Sequence, residues 1–187
     1  MTTSREIRLK SRPVGLPKAS DFELATVDLP APGPDEIQVR NLWMSVDPYM
    51  RGRMYDRPSY VPPFQLGQAL QGGAIGEVVA SNDPNFKPGD IVNSMFGWRE
   101  AYNASPKALA AAGLGAITKI ETHGIPPQAF LGVVGMPGLT AYVGLLRIAA
   151  LKDGDVVFVS AAAGAVGSVV CQIAKLKGHT VIGSAGG

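Results

Sequence analysis

Seven consecutive residues, Ala161-Ala162-Ala163-Gly164-Ala165-Val166-Gly167, restrict the fold of this chain more than any other stretch. Before them stands Asp155–Ser160 (DVVFVS), an apolar run typical of a strand covered on both faces. After them Val166, Val169, Val170, Ile173 and Leu176 recur at helical spacing and form one apolar stripe. Lys175 and Lys177 lie near the negative end of that helix dipole, and Gly178 suits the residue that ends the helix. Thr180–Ser184 (TVIGS) reads as a second buried strand. Strand, helix and strand within about 30 residues predict a βαβ unit with a right-handed crossover.

The turn between strand and helix has glycine at the last two positions of a G-x-G-x-x-G framework. Gly164 lets the backbone approach a pyrophosphate with no Cβ in the way, and Gly167 lets the helix press against the sheet. The first N–H groups of the helix then point at phosphate oxygens, aided by the dipole. A packing turn without a ligand is the alternative, and the flanking strand and helix favour the ligand-binding reading. The ribose acceptor is expected about 20 residues further on. That region reads Gly183-Ser184-Ala185-Gly186-Gly187 and has no carboxylate to repel a 2′-phosphate. A dinucleotide bound here is therefore expected to be NADP(H).

The chain before about Ile125 is β-rich in texture. Glu36–Val46 begins with Ile37 and Val39 alternating against Gln38 and Arg40, and Gly76–Ala80 and Asp90–Phe96 are shorter strand candidates. Proline- and glycine-rich turns such as Leu29–Pro34 and Tyr60–Phe64 separate them. From Met136 a helix is predicted, with Pro137 in its first turn and Leu139, Val143, Leu146 and Ala150 as the apolar face. Lys-x-Gly-Asp occurs at Lys87–Asp90 and again at Lys152–Asp155, each time just before an apolar strand. A turn with glycine at positive φ accounts for both.

Composition narrows the function. The 187 residues are 46% hydrophobic and 17% charged, with a net charge of +2 and no basic run. No row of phosphates would be neutralised by such a chain, so nucleic acid is not expected as a partner. Met1–Lys10 lacks an apolar signal core, and no stretch approaches the roughly 20 apolar residues of a membrane span. The single cysteine, Cys171, reads as a small core residue beside the helix stripe and has no disulfide partner. These features predict a cytoplasmic protein. His123 and His179 have no partner at metal or acid–base spacing.

Three segments, DPYMRGRM (47–54), GMPGLTAY (135–142) and AAAGAVGS (161–168), together resemble the medium-chain dehydrogenase/reductase superfamily. Within it they resemble the zinc-independent alkenal/prostaglandin reductase branch, which includes curcumin reductases and leukotriene hydroxydehydrogenase-like proteins. The resemblance covers nearly the whole chain. It implies an α/β plus β architecture: a GroES-like β-barrel domain over residues 1–128, then the first βαβ unit of a Rossmann NADP-binding domain over 129–187. Members of the branch are longer than this chain. The resemblance therefore implies an N-terminal half, whose apolar strands and helix are left partly uncovered and which alone is inactive.

By resemblance the reaction is NADPH-dependent reduction of the C=C bond of an α,β-unsaturated carbonyl, an enone or alkenal. A quinone reductase or a non-catalytic truncated fragment is the alternative. The stretch matching Pro48-Tyr49 lines the active site in the family, so Tyr49 is the candidate catalytic and substrate-binding donor and Pro48 a cofactor contact. Tyr60, in a proline-rich loop, is a candidate substrate contact. Met136 and Thr140 match positions near the nicotinamide. Ala162, Ala163, Gly164, Ala165, Val166 and Gly167 would hold the pyrophosphate, and Gly186 would lie at the ribose end. Arg51 and Arg53 read as solvated loop charges. Zinc alcohol dehydrogenases of the superfamily carry Gly-His-Glu where this chain has Gly67-Gln68-Ala69, so no metal ligand is assigned. Family members pair as dimers through Rossmann edge strands, a partnership expected only of the longer protein.

Overall fold

The structure is a computed structural model that describes residues 1–112 and 115–186, and it divides into two compact units, Met1–His123 and Gly124–Gly187. In the first unit, β1 (Thr2–Leu9) and β2 (Phe22–Leu29) form an antiparallel pair, with Thr2 opposite Leu29 and Leu9 opposite Phe22. Five further strands follow: β3 (Ile37–Met44), β4 (Ala74–Ser81), β5 (Ile91–Ser94), β6 (Ala101–Ala104) and β7 (Thr118–Lys119). They make one antiparallel sheet in the order β6-β3-β4-β5-β7. Strand β1 joins this sheet through isolated bridges, Glu6 with Arg99 and Arg8 with Ala69, instead of a continuous ladder. The Ile7 N–H donates to the Trp98 carbonyl, and the Leu70 N–H to the Ile7 carbonyl, both at 2.9 Å.

Strand β3 shows why the alternating pattern was only partly readable. Ile37 and Val39 are fully buried as expected, but Gln38 between them is buried as well. Its amide donates to the Pro30 carbonyl and to Asn103 Oδ1, and its Oε1 accepts from the Thr2 hydroxyl, so burial leaves these groups paired. Register shifts at Gln38/Val39 and Asn41/Trp43 mark bulges that bend the strand. Ile37, Val39, Val78, Val92, Tyr102, Ala104 and Ile117 form one core. A second cluster, Leu9, Met50, Met54, Phe64 and Leu70, lies under the helix described below, with Tyr49 and Trp98 packed against it.

In the second unit, α3 (Met136–Val143) carries Pro137 in its first turn and runs into a π-helical turn at Gly144–Ile148. (Helix α1, Tyr49–Arg53, belongs to the candidate site below; α2, Pro106–Ala111, is capped by the Ser105 hydroxyl.) The buried face of α3 is Pro137, Gly138 and Ala141, continued by Leu145. This corrects the expected stripe: Leu139 and Val143 are exposed. Small residues win the inward face because they allow the close backbone approach that Gly138 makes to the Val133 carbonyl.

The βαβ unit follows as predicted: β8 (Val156–Ser160), α4 (Gly167–Leu176) and β9 (Thr180–Ser184), with β8 and β9 parallel from Val156 opposite Thr180 to Ser160 opposite Ser184. One face of the pair packs through Val159 beneath α4, where Val169 and Ala174 are buried. The other face is open. Val156 is 62% exposed, Phe158 66% and Ile182 52%, so burial on both faces is not realised in this chain. Both Lys-x-Gly-Asp segments form the expected turn, with Gly89 at φ +91° and Gly154 at φ +86°. In each, the aspartate carboxylate accepts the lysine N–H, at 2.9 and 2.8 Å. Among the described residues no helix is long and apolar enough to cross a membrane.

Two stability experiments follow from this packing. Ile37→Ala, which empties a fully buried site, should cost about 2–5 kcal/mol in urea unfolding, whereas Ile182→Thr on the open face should stay within about 0.5 kcal/mol. Tyr102 is buried and stacked on Phe96 at 4.7 Å, and burial pushes its phenol up to about 12. Its contribution is complete below the ordinary phenol value and is lost as pH rises through the native one. Stability should therefore fall by on the order of 2–3 kcal/mol across that alkaline window, and Tyr102→Phe should flatten the fall in unfolding curves.

Candidate functional site

The turn after β8 is held by its own backbone. Ala161 takes a left-handed conformation at φ +51°, and its carbonyl accepts the Gly164 N–H at 2.9 Å. The Ala162 N–H donates to the Ser184 carbonyl at 2.9 Å, tying the turn to the end of β9. The Ser168 N–H returns to the Gly164 carbonyl as α4 begins. Gly167 sits against Ala161, and any Cβ there would collide with the Ala161 carbonyl oxygen. No side chain caps α4, whose N-cap is Val166. Among the described residues the N–H groups of Ala163, Ala165, Val166 and Gly167 have no protein acceptor. Ala163, Gly164, Ala165 and Val166 are solvent-exposed. Unused, outward donors at a helix start, with no side chain obstructing Gly164, fit a phosphate group.

The remaining second-unit candidates are exposed too. Met136 and Thr140 stand one turn apart on the side of α3 away from Pro137 and Ala141. Gly183, Ser184, Ala185 and Gly186 are exposed and carry no charge; Gly187 lies outside the described residues.

The first-unit candidates gather around α1 (Tyr49–Arg53), a short helix entered through Pro48. Met50, Arg53 and Met54 are its buried side, at the spacing of one helical stripe. Tyr49 is half-buried at the edge of the Leu9–Phe64–Leu70 cluster. Burial raises its phenol above the ordinary value, Asp47 and Tyr60 act in the same direction, and Arg53 acts against them. Tyr60 itself is 86% exposed in the proline-rich loop.

Arg53 corrects the expectation of a solvated loop charge: it is only 7% exposed. Its Nε donates to the Pro62 carbonyl and its Nη2 to Gln71 Oε1, both at 2.8 Å, and its guanidinium lies 4.1 Å over the Phe64 ring. Arg51 is likewise engaged, donating to the Tyr55 hydroxyl and stacking 4.3 Å over that ring. The signal for Arg53 was available, since an arginine at the third position of a Met50–Arg53–Met54 stripe must enter the core.

Gln68 and Ala69 border a cleft of about 310 Å³ with Glu6, Arg8, Gln71 and Arg99. Arg8 and Glu6 form an ion pair there at 2.7 Å. Among the described residues no three His, Cys, Asp or Glu side chains are grouped to hold a metal ion. Cys171 is half-buried on α4, and His179 Nδ1 is 3.2 Å from the Asp155 carbonyl.

Known proteins match this arrangement. A family model described as the N-terminal domain of oxidoreductase matches residues 5–112. The NADPH-dependent curcumin reductase of Escherichia coli is 44% identical over 96% of this chain and 50% of its own length. The NADP(+)-dependent 2-alkenal reductase of Nicotiana tabacum is 40% identical over 98% of this chain and 53% of its own. Among solved structures, CurA from Vibrio vulnificus in complex with NADPH superposes with a TM-score of 0.87 at 44% identity, over 98% of this chain and 52% of that one. The chain spans about half the length of the curated relatives it matches. With a model match across more than half of its residues, the chain belongs to the oxidoreductase family of that N-terminal domain.

Proposed function

We propose that this chain supplies the substrate-side domain and the pyrophosphate cradle of an NADPH-dependent, zinc-independent reductase of α,β-unsaturated carbonyls. The observation that carries the reading is the set of unused N–H groups at Ala163, Ala165, Val166 and Gly167, beside a strand end without a carboxylate. The relatives support it, since the two named above are a curcumin reductase and a 2-alkenal reductase.

The dinucleotide, when bound, supplies the hydride. The α4 start accepts negative phosphate with backbone dipoles already oriented, so no reorganisation is needed on binding. Thr140 and Met136 of the second unit, and Pro48 of the first, are the residues that would hold the dinucleotide beyond its phosphates. As the β-carbon is reduced, negative charge builds on the substrate's carbonyl oxygen. The Tyr49 O–H, protonated at neutral pH as any phenol is, donates to that oxygen. Gln68 and Ala69 replace the imidazole and carboxylate of a zinc site, so the phenol does the work a Lewis acid would do elsewhere. Tyr60, at the exposed loop, closes over a small apolar substrate.

Two measurements test this. In a fluorescence titration the chain should bind NADPH at least about tenfold more tightly than NADH, and Gly167→Val, which pushes the α4 start away from Ala161, should weaken binding by a similar factor or more. Equal affinity for the two dinucleotides would contradict the NADP(H) assignment, and binding of neither would contradict the cradle. On the full reading frame, Tyr49→Phe should lower kcat for a simple enone by about 10²-fold with little change in KM, and chelators should have no effect. Turnover of a quinone but not of an enone would replace the substrate assignment.

A further inference from the structure

Arg53 carries a charge that the fold buries and no acid answers. Four guanidiniums have carboxylate partners, Arg5 with Glu100, Arg8 with Glu6, Arg12 with Asp56 and Arg40 with Glu77, whereas Arg99 donates to the Gly97 and Leu70 carbonyls. Arg53 has none within ion-pair distance among the described residues, although it is 7% exposed. Its neighbours are neutral: the Pro62 carbonyl, the Gln71 amide oxygen and the Phe64 ring face. A buried cation held only by dipoles and a ring keeps most of its field, because no opposite charge cancels it. That field has one titratable neighbour on its own helix, Tyr49, one turn before it.

We propose that Arg53 is the positioning residue for Tyr49. Its two hydrogen bonds fix the loop that runs from Tyr60 to Phe64 and the Gln71 segment against α1, and its unpaired positive charge makes the Tyr49 O–H a stronger hydrogen-bond donor. The first role is geometric. Nε and Nη2 diverge from one planar group, so Pro62 and Gln71 are set at a fixed separation that a lysine's single ammonium does not reproduce. The second role is electrostatic. A cation beside a phenol stabilises the negative charge that the oxygen gains as its proton is shared with a substrate oxyanion. Burial, Asp47 and Tyr60 all push the phenol the other way, so Arg53 is the group that keeps it from becoming too weak an acid. The proposal rests on the reading of Tyr49 as the donor.

The test is a pH titration of the chain carrying ¹³Cζ-tyrosine, with the Tyr49 signal assigned through Tyr49→Phe. In Arg53→Met, which keeps an apolar stem on Phe64 but no charge, the proton affinity of the Tyr49 phenol should rise roughly tenfold. In Arg53→Lys it should return to within about a factor of two of the parent value. A purely structural role predicts the opposite sign, because a loosened loop would hydrate the phenol and lower its proton affinity. An unchanged or lowered value in Arg53→Met therefore overturns the proposal. Should that variant not fold, Arg53→Gln, which keeps an amide donor for the Pro62 carbonyl, reads the same shift. The two failures stay distinguishable: a Tyr49→Phe enzyme with undiminished enone turnover overturns the donor reading, while the Arg53 titration stands or falls separately.

Discussion

Helix α4 begins where it does because residue 167 has no side chain. The start of the helix lies so close to the strand end that a single added carbon would strike the Ala161 carbonyl. That approach forces Ala161 into a left-handed conformation, which costs an alanine about 1–2 kcal/mol and leaves the next carbonyls and amides pointing in fixed directions. Ala162 then bonds to the end of β9, and Ala163, Ala165, Val166 and Gly167 present N–H groups with no acceptor among the described residues. The exposed N–H groups of the turn and the packing of the α4 start both go with this one contact.

In the first unit a different constraint organises the candidate chemistry. Helix α1 buries a Met50–Arg53–Met54 stripe and leaves Tyr49, Arg51 and Gly52 partly exposed. The guanidinium satisfies its burial with a carbonyl, an amide and a ring instead of an acid. Each acceptor belongs to a different segment, which draws the Pro62 loop and Gln71 to one place. A phenol held by burial and tuned by a neighbouring cation can donate to a developing oxyanion without a metal.

Much of this was legible in the chain itself. Strands β8 and β9 and helix α4 could be read because an apolar run, a glycine turn and a single helical stripe follow one another without ambiguity. The β1–β2 pair was not read. Its sequences, TTSREIRL and FELATVDL, place few apolar residues inward, and much of their surface is solvated. The inward face of α3 was misassigned because apolar periodicity selects Leu139 and Val143, while close backbone packing selects Gly138 and Ala141. Arg53 was missed for the complementary reason: charge argues for solvent, and only its position in a helical stripe argues for the core. The open face of β8 and β9 carries Val156, Phe158 and Ile182, residues whose composition predicts burial that this chain does not itself provide.

The central claim is that the α4 start is a dinucleotide phosphate site. Titrating the ¹⁵N-labelled chain with NADP⁺ and following backbone amide shifts addresses it directly. The largest shifts should fall on Ala163, Ala165, Val166 and Gly167, with smaller ones from Ser184 to Gly186. Unmoved amides in that turn, alongside shifts concentrated at the Arg8–Arg99 cleft, would contradict it.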